Sequence, residues 1–575
     1  MSTPSALTPR ALGLGGVLGA LMCLSNLYVG LKTGLGFPAA LIACVVGVGT
    51  WRALLRLAPS VFGPTLSLSE TSIMQSVASS AGYSTGGTII NASVGYLLLA
   101  GHHPPFWALL LWTLFSSALG VFIALPLQRP FLHQEPLPFP SGLAAASLAR
   151  SFHAGDAAGQ RSARALGWGA TGAGLLALLR DGLAWLPATL ALPGAVLGVP
   201  LASLTFALDL TLLPLGTGAI VGLRIATSLL LGAGLCFGVL APVLHTQGLL
   251  PTLGYTGILE WSLWPGAALA TSASLTQLAL QPGLVRRALA ALRPAPEARE
   301  PTEPHDVPRG VFLAGVGLLA VAVAAVGRAA FDVPFALGLL GVALSFALAA
   351  VACRATGETD VTPYGTLGHV AQLVFGGLLP GQALPNTMAA SLTGNIASAS
   401  ADLLTDVKAG TLLGVRPRHT FLAQLGGSVL GSLLIVPVFY LLVPDGSALS
   451  EERFPAPSGY FVAAMARALA SGLGHLDAAA RGGVLGGVVL GVGLVLLERW
   501  SPARLQRWLP SPIGLGLAFV LPASFSVSLF LGALAAALLA RARPATAESL
   551  TVPLASGLIA GESLVGLAAV LLTSA

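Results

Sequence analysis

Long apolar runs recur from one end of this chain to the other. Runs of roughly 18–25 residues can cross a hydrocarbon core about 30 Å thick as helices, which satisfy their own backbone hydrogen bonds. Hydrophobic residues make up 55% of the 575 positions and charged residues only 9%, against about 25% charged in soluble proteins. The sequence therefore predicts an all-α polytopic membrane protein and excludes an ordinary soluble one.

The apolar runs predict about 16 transmembrane helices. They are expected near 11–31, 36–57, 68–100, 106–127, 165–187, 197–215, 217–243, 261–281, 310–328, 333–353, 365–380, 385–403, 420–443, 482–498, 511–540 and 552–573. The 71 glycines and 40 prolines favour some broken or re-entrant helices that line a cavity. Breaks are expected within 68–100 and 511–540.

Basic residues set the predicted orientation. The net charge is +6, and the basic connections fall on one side of the membrane if the N-terminus is cytoplasmic. The acidic loop 444–453 then lies outside. We therefore predict a multi-pass protein of the cytoplasmic (inner) membrane, with lipid and no nucleic acid among its partners.

One hydrophilic connection, 286–309, divides the chain into an N-terminal membrane half, 1–285, and a C-terminal membrane half, 310–575. Its prolines and mixed charges indicate a flexible cytoplasmic linker. Further along, FDVPFALGLLGVALSFALAAVACR resembles GFPAALIACVVGVGTWRALLR near the N-terminus. Two tandem halves of about eight spans would explain this likeness, and chance similarity between apolar segments is the alternative.

The four cysteines lie far apart within apolar runs and form no CxxC pair. They are Cys23, Cys44, Cys236 and Cys353. We therefore expect buried free thiols, with no metal site and no cofactor.

Polar residues inside the apolar runs are candidate functional residues, because a charge at the bilayer centre costs at least about 2.5–3.5 kcal/mol. The first motif, NLYVGLKTG, contains Asn26, Tyr28, Gly30, Lys32, Thr33 and Gly34. The amide of Asn26 needs a partner. Lys32 either contacts a ligand or extends to the membrane interface.

The second motif, LSLSETSIMQSVASSAG, is too polar to face lipid and contains Glu70 and Gln75. Glu70 would bind a cation, a proton or a substrate amine, or else it would cap the start of a helix. The last predicted span adds Glu562, which would pair with another helix or contact a ligand.

The third motif is LPNTMAASLTGNIASASADLLTDVKAG, with candidates Asn386, Asn395, Asp402 and Asp406. The two aspartates share one helix face, since they are four residues apart, and Arg224 from another span is a candidate to neutralise them. Ordinary interfacial carboxylates are the alternative. Lys408 lies on another face and is expected at the cytoplasmic edge.

These motifs, together with LPFPSGLAAA and GETDVTPYGTLGHVAQLVFG, resemble in the same order the oligopeptide transporter family, on the branch of the yellow stripe-like transporters. The DLLTDVKAGTLLG segment, followed by Arg418 and Gln424, is the most specific part, and Gly410 also matches. The resemblance implies a secondary active transporter that imports peptides, or metal complexes of peptide-like chelators, with protons as the coupling ion. It does not say which residues contact the substrate.

We expect oligopeptides as the substrate, metal chelates as the alternative, and no enzymatic activity. A channel remains an alternative. So does a membrane prenyltransferase that would use the DLLTD aspartates to hold Mg²⁺, although no second acidic cluster accompanies them. A homodimer is an open interpretation.

Overall fold

The computed structural model describes residues 6–283, 286 and 307–574. Within these limits it leaves out 35–38, 59, 61–62, 84–85, 155–156, 184, 360–361, 363, 452, 473, 475 and 507. Most of the expected linker at 286–309 therefore lies outside the described residues.

Helices dominate the described part of the chain. In the N-terminal half they are α1 (Pro9–Thr33), α2 (Ala39–Leu57), α3 (Leu68–Tyr83), α4 (Val94–Ala100), α5 (Phe106–Ile123), α6 (Leu125–Gln128), α7 (Pro140–Ala154), α8 (Ala157–Ala177), α9 (Leu213–Val221), α10 (Leu223–Ala233), α11 (Ala241–Thr246) and α12 (Gly254–Ala279). In the C-terminal half they are α13 (Arg309–Ala330), α14 (Phe335–Thr359), α15 (Tyr364–Leu378), α16 (Ala383–Leu412), α17 (Pro417–Leu442), α18 (Pro457–Ser471), α19 (Ala478–Trp500), α20 (Ala503–Gln506), α21 (Pro512–Ala518), α22 (Ala523–Ala542) and α23 (Pro544–Ser574).

Nine helical stretches of the described residues are long and apolar enough to cross a membrane. The prediction of an all-α polytopic membrane protein is thus confirmed. Several of the other predicted spans correspond to helices that are interrupted, short or polar. Helix α3, for example, carries Glu70, Gln75 and several buried serines, because it faces other helices and not lipid.

Two predicted breaks are confirmed. The run 68–100 consists of α3, a π-helical segment over Gly86–Ser93 and α4. The run 511–540 consists of the short α21 and the longer α22. Proline at 522 directly precedes α22, where its missing N–H costs no helical hydrogen bond.

The predicted span at 197–215 is wrong. The segment between α8 and α9 contains four short strands: β1 (Thr189–Ala191), β2 (Ala195–Val196), β3 (Val199–Pro200) and β4 (Ala207–Asp209). Strand β1 pairs antiparallel with β4, and β2 pairs with β3. Glycines at positive φ, Gly194 and Gly198, form the turns that a continuous helix would not contain. The apolar composition alone suggested a helix.

Helices from both sides of the linker pack on one another. The pairs α8 with α23, α12 with α19, and α3 with α17 make extensive contacts. Helices α9 and α22 approach each other closely: a Cβ on Gly218 would overlap the carbonyl oxygen of Leu529, and one on Gly532 would overlap that of Leu215. The two sequence halves therefore share one packed core.

Candidate functional site

A cavity of about 480 Å³ lies where both halves meet. Its walls come from the C-terminal end of α1, strands β1 and β4, the start of α9, the loop before α18, the start of α22, and α23. The charged residues in the lining are Lys32, Asp209, Glu451 and Glu562. A volume between roughly 300 and 1,000 Å³ is typical of small-ligand pockets, so the cavity is large enough for a small organic molecule.

Glu562 is held rigidly at the wall of this cavity. Its Oε1 lies 2.8 Å from Nη1 of Arg180, and its Oε2 accepts the backbone N–H groups of Leu212 and Leu213 at 2.6 and 2.7 Å. Arg180 in turn contacts both carboxylate oxygens of Asp181 at 2.7 and 2.6 Å. Glu562 thus caps α9 and is neutralised by Arg180, so pairing with another helix is confirmed and the carboxylate also lines the cavity.

The lining of the cavity carries charges of both signs, positive at Lys32 and negative at Asp209. The ammonium of Lys32 lies 6.0 Å from the ring centroid of Phe454, within range of a cation–π interaction. Burial raises the pKa of Asp209, while its hydrogen bond with Thr211 and the nearby Lys32 act in the opposite direction. One cation and several carboxylates around one space suit a zwitterion, whose ammonium and carboxylate ends need opposite partners.

The two aspartates of α16 form a second buried group. Asp406 accepts hydrogen bonds from Nε2 of Gln75 at 3.4 Å and Nε2 of Gln424 at 2.5 Å. Asp402 lies one turn away, and its Oδ2 is buried with no hydrogen-bond partner. The side chains of both residues are at most 9% exposed, so they lie inside the helix bundle and not at its surface. The sequence predicted their shared helix and missed the two glutamines as partners of one carboxylate.

Glu70 caps a helix. Its Oε2 accepts the backbone N–H of Ser67 at 2.9 Å, while the Ser67 hydroxyl accepts the N–H of Glu70 at 3.2 Å. This reciprocal pattern is a capping box. Arg10 adds a two-pronged ion pair at 2.6 and 2.7 Å. The capping interpretation is confirmed, and the carboxylate is fully occupied.

Arg224 does not neutralise the aspartate pair, which corrects that prediction. It donates to Oε1 of Glu498 at 2.7 Å and to the carbonyl of Leu509 at 3.1 Å. The partly exposed side chain of Arg224 lies at the start of α10. Its partner is far away in the sequence, so the sequence alone could not predict the pair.

The structure places the remaining candidates within or at the ends of helices. Asn26 donates to the carbonyl of Gly82 at 3.1 Å and so ties α1 to α3. Gly34 ends α1 with a φ of +70°. Asn395 donates to the hydroxyls of Ser116 and Ser117 at 2.8 and 3.1 Å. Asn386 is buried, with no partner for its Oδ1.

Other motif residues line neither the cavity nor the aspartate pair. Thr33 is fully buried, Lys408 is half-buried and Arg418 is exposed. A Cβ on Gly30 would overlap Ile90, and one on Gly410 would meet the Thr420 hydroxyl at 3.0 Å.

Asp209, Glu451 and Arg180 were not among the residues predicted from the sequence. Asp209 lies in the segment that was wrongly predicted as a membrane span. Glu451 lies in the acidic loop 444–453, which indicated only the orientation of the chain in the membrane. Arg180 and Asp181 stand together in an apolar run, which was an available signal. No group of three or more metal-binding side chains occurs among the residues that the structure describes.

Comparisons with known proteins identify the relatives of the chain. The family model described as OPT oligopeptide transporter protein matches residues 6–573. A "Putative oligopeptide transporter" of Haemophilus influenzae is 24% identical over 94% of this chain and 91% of its own length. The "Probable metal-nicotianamine transporter YSL8" of Oryza sativa is 28% identical over 36% of this chain. "Putative oligopeptide transporter YGL114W" of Saccharomyces cerevisiae is 30% identical over 38%. Each of these last two matches spans 31% of the relative.

Proposed function

The chain belongs to the oligopeptide transporter family, and we propose that it imports oligopeptides across the cytoplasmic membrane by proton symport, with its N-terminus in the cytoplasm. The family membership makes it a multi-pass membrane transporter and not an enzyme. The prenyltransferase alternative is thereby overturned. The identity of the substrate, the coupling to protons, the direction of transport and the location in the cytoplasmic membrane are proposals.

The charged cavity is the observation that carries the substrate assignment. A peptide has an ammonium at one end and a carboxylate at the other, so a binding site needs both signs of charge. Lys32 would receive the carboxylate, while Asp209 and Glu451 would receive the ammonium. Glu562 is already paired with Arg180. It would therefore form part of the cavity wall but add little net charge to the binding site. Midmembrane transporter sites commonly combine such residues with helix breaks.

Asp402 is the group that we assign to the proton. Glu70 is unsuitable because Arg10 and Ser67 already satisfy both of its oxygens. Asp406 has two amide donors, which favour its ionised form. Asp402 has a buried oxygen without a donor, and a proton on the carboxyl group would remove the cost of an unpaired buried charge. Loss of that proton on the other side of the membrane would complete the cycle.

Uptake by proteoliposomes tests the proposal. Wild-type protein should accumulate labelled tri- to pentapeptides against their gradient when the exterior is acidic, and an ionophore that collapses the pH gradient should stop accumulation. Asp402→Asn should abolish uphill uptake while exchange across equal concentrations continues. Uphill uptake that persists in Asp402→Asn would reject the proton assignment.

Cavity variants test the substrate site separately. Lys32→Gln and Asp209→Asn should each weaken peptide binding about tenfold or more, because each removes one charge-assisted contact. Glu498→Gln is the matched control, since it also removes one carboxylate charge but lies outside the cavity, in a salt bridge with Arg224. Equal binding by all variants would exclude this cavity as the site.

Uptake of a metal chelate is the second candidate. It is favoured by the relatives named as metal-nicotianamine transporters, and the carboxylates of the cavity would suit the amino groups of an amino-acid-like chelator. The same proteoliposomes should be offered iron and nickel chelates. Accumulation of chelates without peptides would reverse the order of the two proposals.

A further inference from the structure

A second, much smaller space lies beside Asp402, away from the charged cavity. Its volume is about 10 Å³, close to the minimum that holds one water or one ion of similar size. Helices α3, α5, α16 and α17 surround it. The lining residues that carry side-chain oxygens are Ser80, Tyr83, Ser117, Asn395, Asp402, Gln424 and Ser428. We call this space the Asp402 chamber.

The carboxylate of the chamber lacks a counter-charge. Asp402 is only 9% exposed, and its Oδ2 has no hydrogen-bond partner. The residues that line the chamber include no lysine, arginine or histidine, and the nearest carboxylate, Asp406, is already bonded to Gln75 and Gln424. An ionised carboxylate in such a place would be strongly unfavourable without a cation.

The neighbouring side chains carry hydroxyl and carbonyl oxygens, the kinds that bind hard cations. Asn395 uses its NH₂ group for Ser116 and Ser117, so its carbonyl oxygen is the end left to face an ion. The Ser80 hydroxyl donates to the backbone carbonyl of Gln424 at 2.7 Å and lies 2.8 Å from the Ser428 hydroxyl. With the Ser80 proton on the carbonyl of Gln424, the Ser428 hydroxyl donates to Ser80, and the lone pairs of Ser428 can accept a cation.

We infer that the Asp402 chamber is a binding site for a single dehydrated monovalent cation, with sodium as the ion that fits its oxygens. Hard cations prefer carboxylate, carbonyl and hydroxyl oxygens, and one carboxylate balances one positive charge. A divalent ion would need further acidic ligands, and the described residues contain no cluster of three metal-binding side chains. This inference goes beyond the proposed function, because sodium would occupy Asp402 in the absence of peptide and of a proton gradient.

Direct binding of radioactive sodium to purified wild-type protein tests the inference. The measurement uses detergent solution at one fixed alkaline pH, without peptide. We expect saturable binding that unlabelled sodium displaces and potassium does not. Asp402→Asn should lose this binding, and Ser117→Ala should raise the Kd about tenfold through loss of one ligand. Glu498→Gln should bind as the wild type does.

The outcomes separate this inference from the proposed transport activity. Absence of saturable sodium binding to the wild type would overturn the inference while peptide uptake could still be active. Full sodium binding by Asp402→Asn would overturn it as well. If Asp402→Asn fails to fold, Ser117→Ala and Ser428→Ala decide, and an unchanged Kd in both would reject the chamber as the site.

Discussion

Removal of the Glu562 carboxylate should destabilise the protein strongly. In Glu562→Ala, Arg180 loses an ion pair of 2.8 Å between side chains that are at most 4% exposed. The N–H groups of Leu212 and Leu213 lose their acceptor at the same time. Breaking a buried pair by removing one partner typically costs about 3–5 kcal/mol. Asp181 still holds Arg180, so we expect the lower part of that range.

A charge-neutral variant separates the two parts of this loss. Glu562→Gln keeps an oxygen that can accept from the backbone but loses the charge. Since charge-assisted hydrogen bonds are roughly twice as strong as neutral ones, its loss should be about half that of Glu562→Ala. The matched control is Glu498→Ala, which breaks an ion pair of 2.7 Å with Arg224 at the partly exposed surface. Such exposed pairs contribute about 0–1 kcal/mol.

The native thiols offer the assay. The four cysteines are free and buried, so a thiol-reactive dye reports thermal unfolding of the purified protein. With roughly 2.1 cal/mol/K of unfolding entropy per residue, a loss of ~3–4 kcal/mol over 575 residues lowers Tm by about 3 °C. A Tm for Glu562→Ala equal to that of Glu498→Ala would refute the reasoning, as would equal losses for Glu562→Ala and Glu562→Gln.

Three further outcomes are expected. Gly218→Ala should cost about 1–3 kcal/mol by overpacking α9 against α22, whereas Gly486→Ala, which has open space around it, should be neutral or slightly stabilising in the same dye assay. Peptide affinity should fall on acidification through the raised pKa of Asp209, because only the ionised form attracts an ammonium, and Asp209→Asn should flatten this dependence in an equilibrium binding titration. Glu70→Gln should leave uptake coupled to the pH gradient while lowering Tm, and loss of coupling in that variant would contradict the assignment of Glu70 to helix capping.

Local patterns in the sequence predicted local structure well. The membrane architecture follows from apolar runs whose length matches a bilayer. The capping role of Glu70 follows from a serine three residues earlier, because both partners of a capping box lie within one turn. The shared face of Asp402 and Asp406 follows from helical spacing.

Partners that are distant in the sequence could not be predicted in this way. Gln424 and Gln75 meet Asp406 only because α3 and α17 pack against α16. The pairing of Arg224 with Glu498 depends on the same kind of long-range packing. The error at 197–215 has another cause, since apolar residues can line a cavity or cover a hairpin as readily as they face lipid.

Helix α1 links the two sites. Its last turn places Lys32 at the charged cavity, while Asn26, less than two turns earlier, holds the carbonyl of Gly82 beside the chamber residue Tyr83. A shift of this helix on peptide binding would therefore alter the surroundings of Asp402. Thermodynamic linkage makes such an effect reciprocal: if an ion in the chamber tightens peptide binding by some factor, bound peptide tightens ion binding by the same factor. Two equilibrium titrations, each in the presence of the other ligand, would measure one coupling free energy twice.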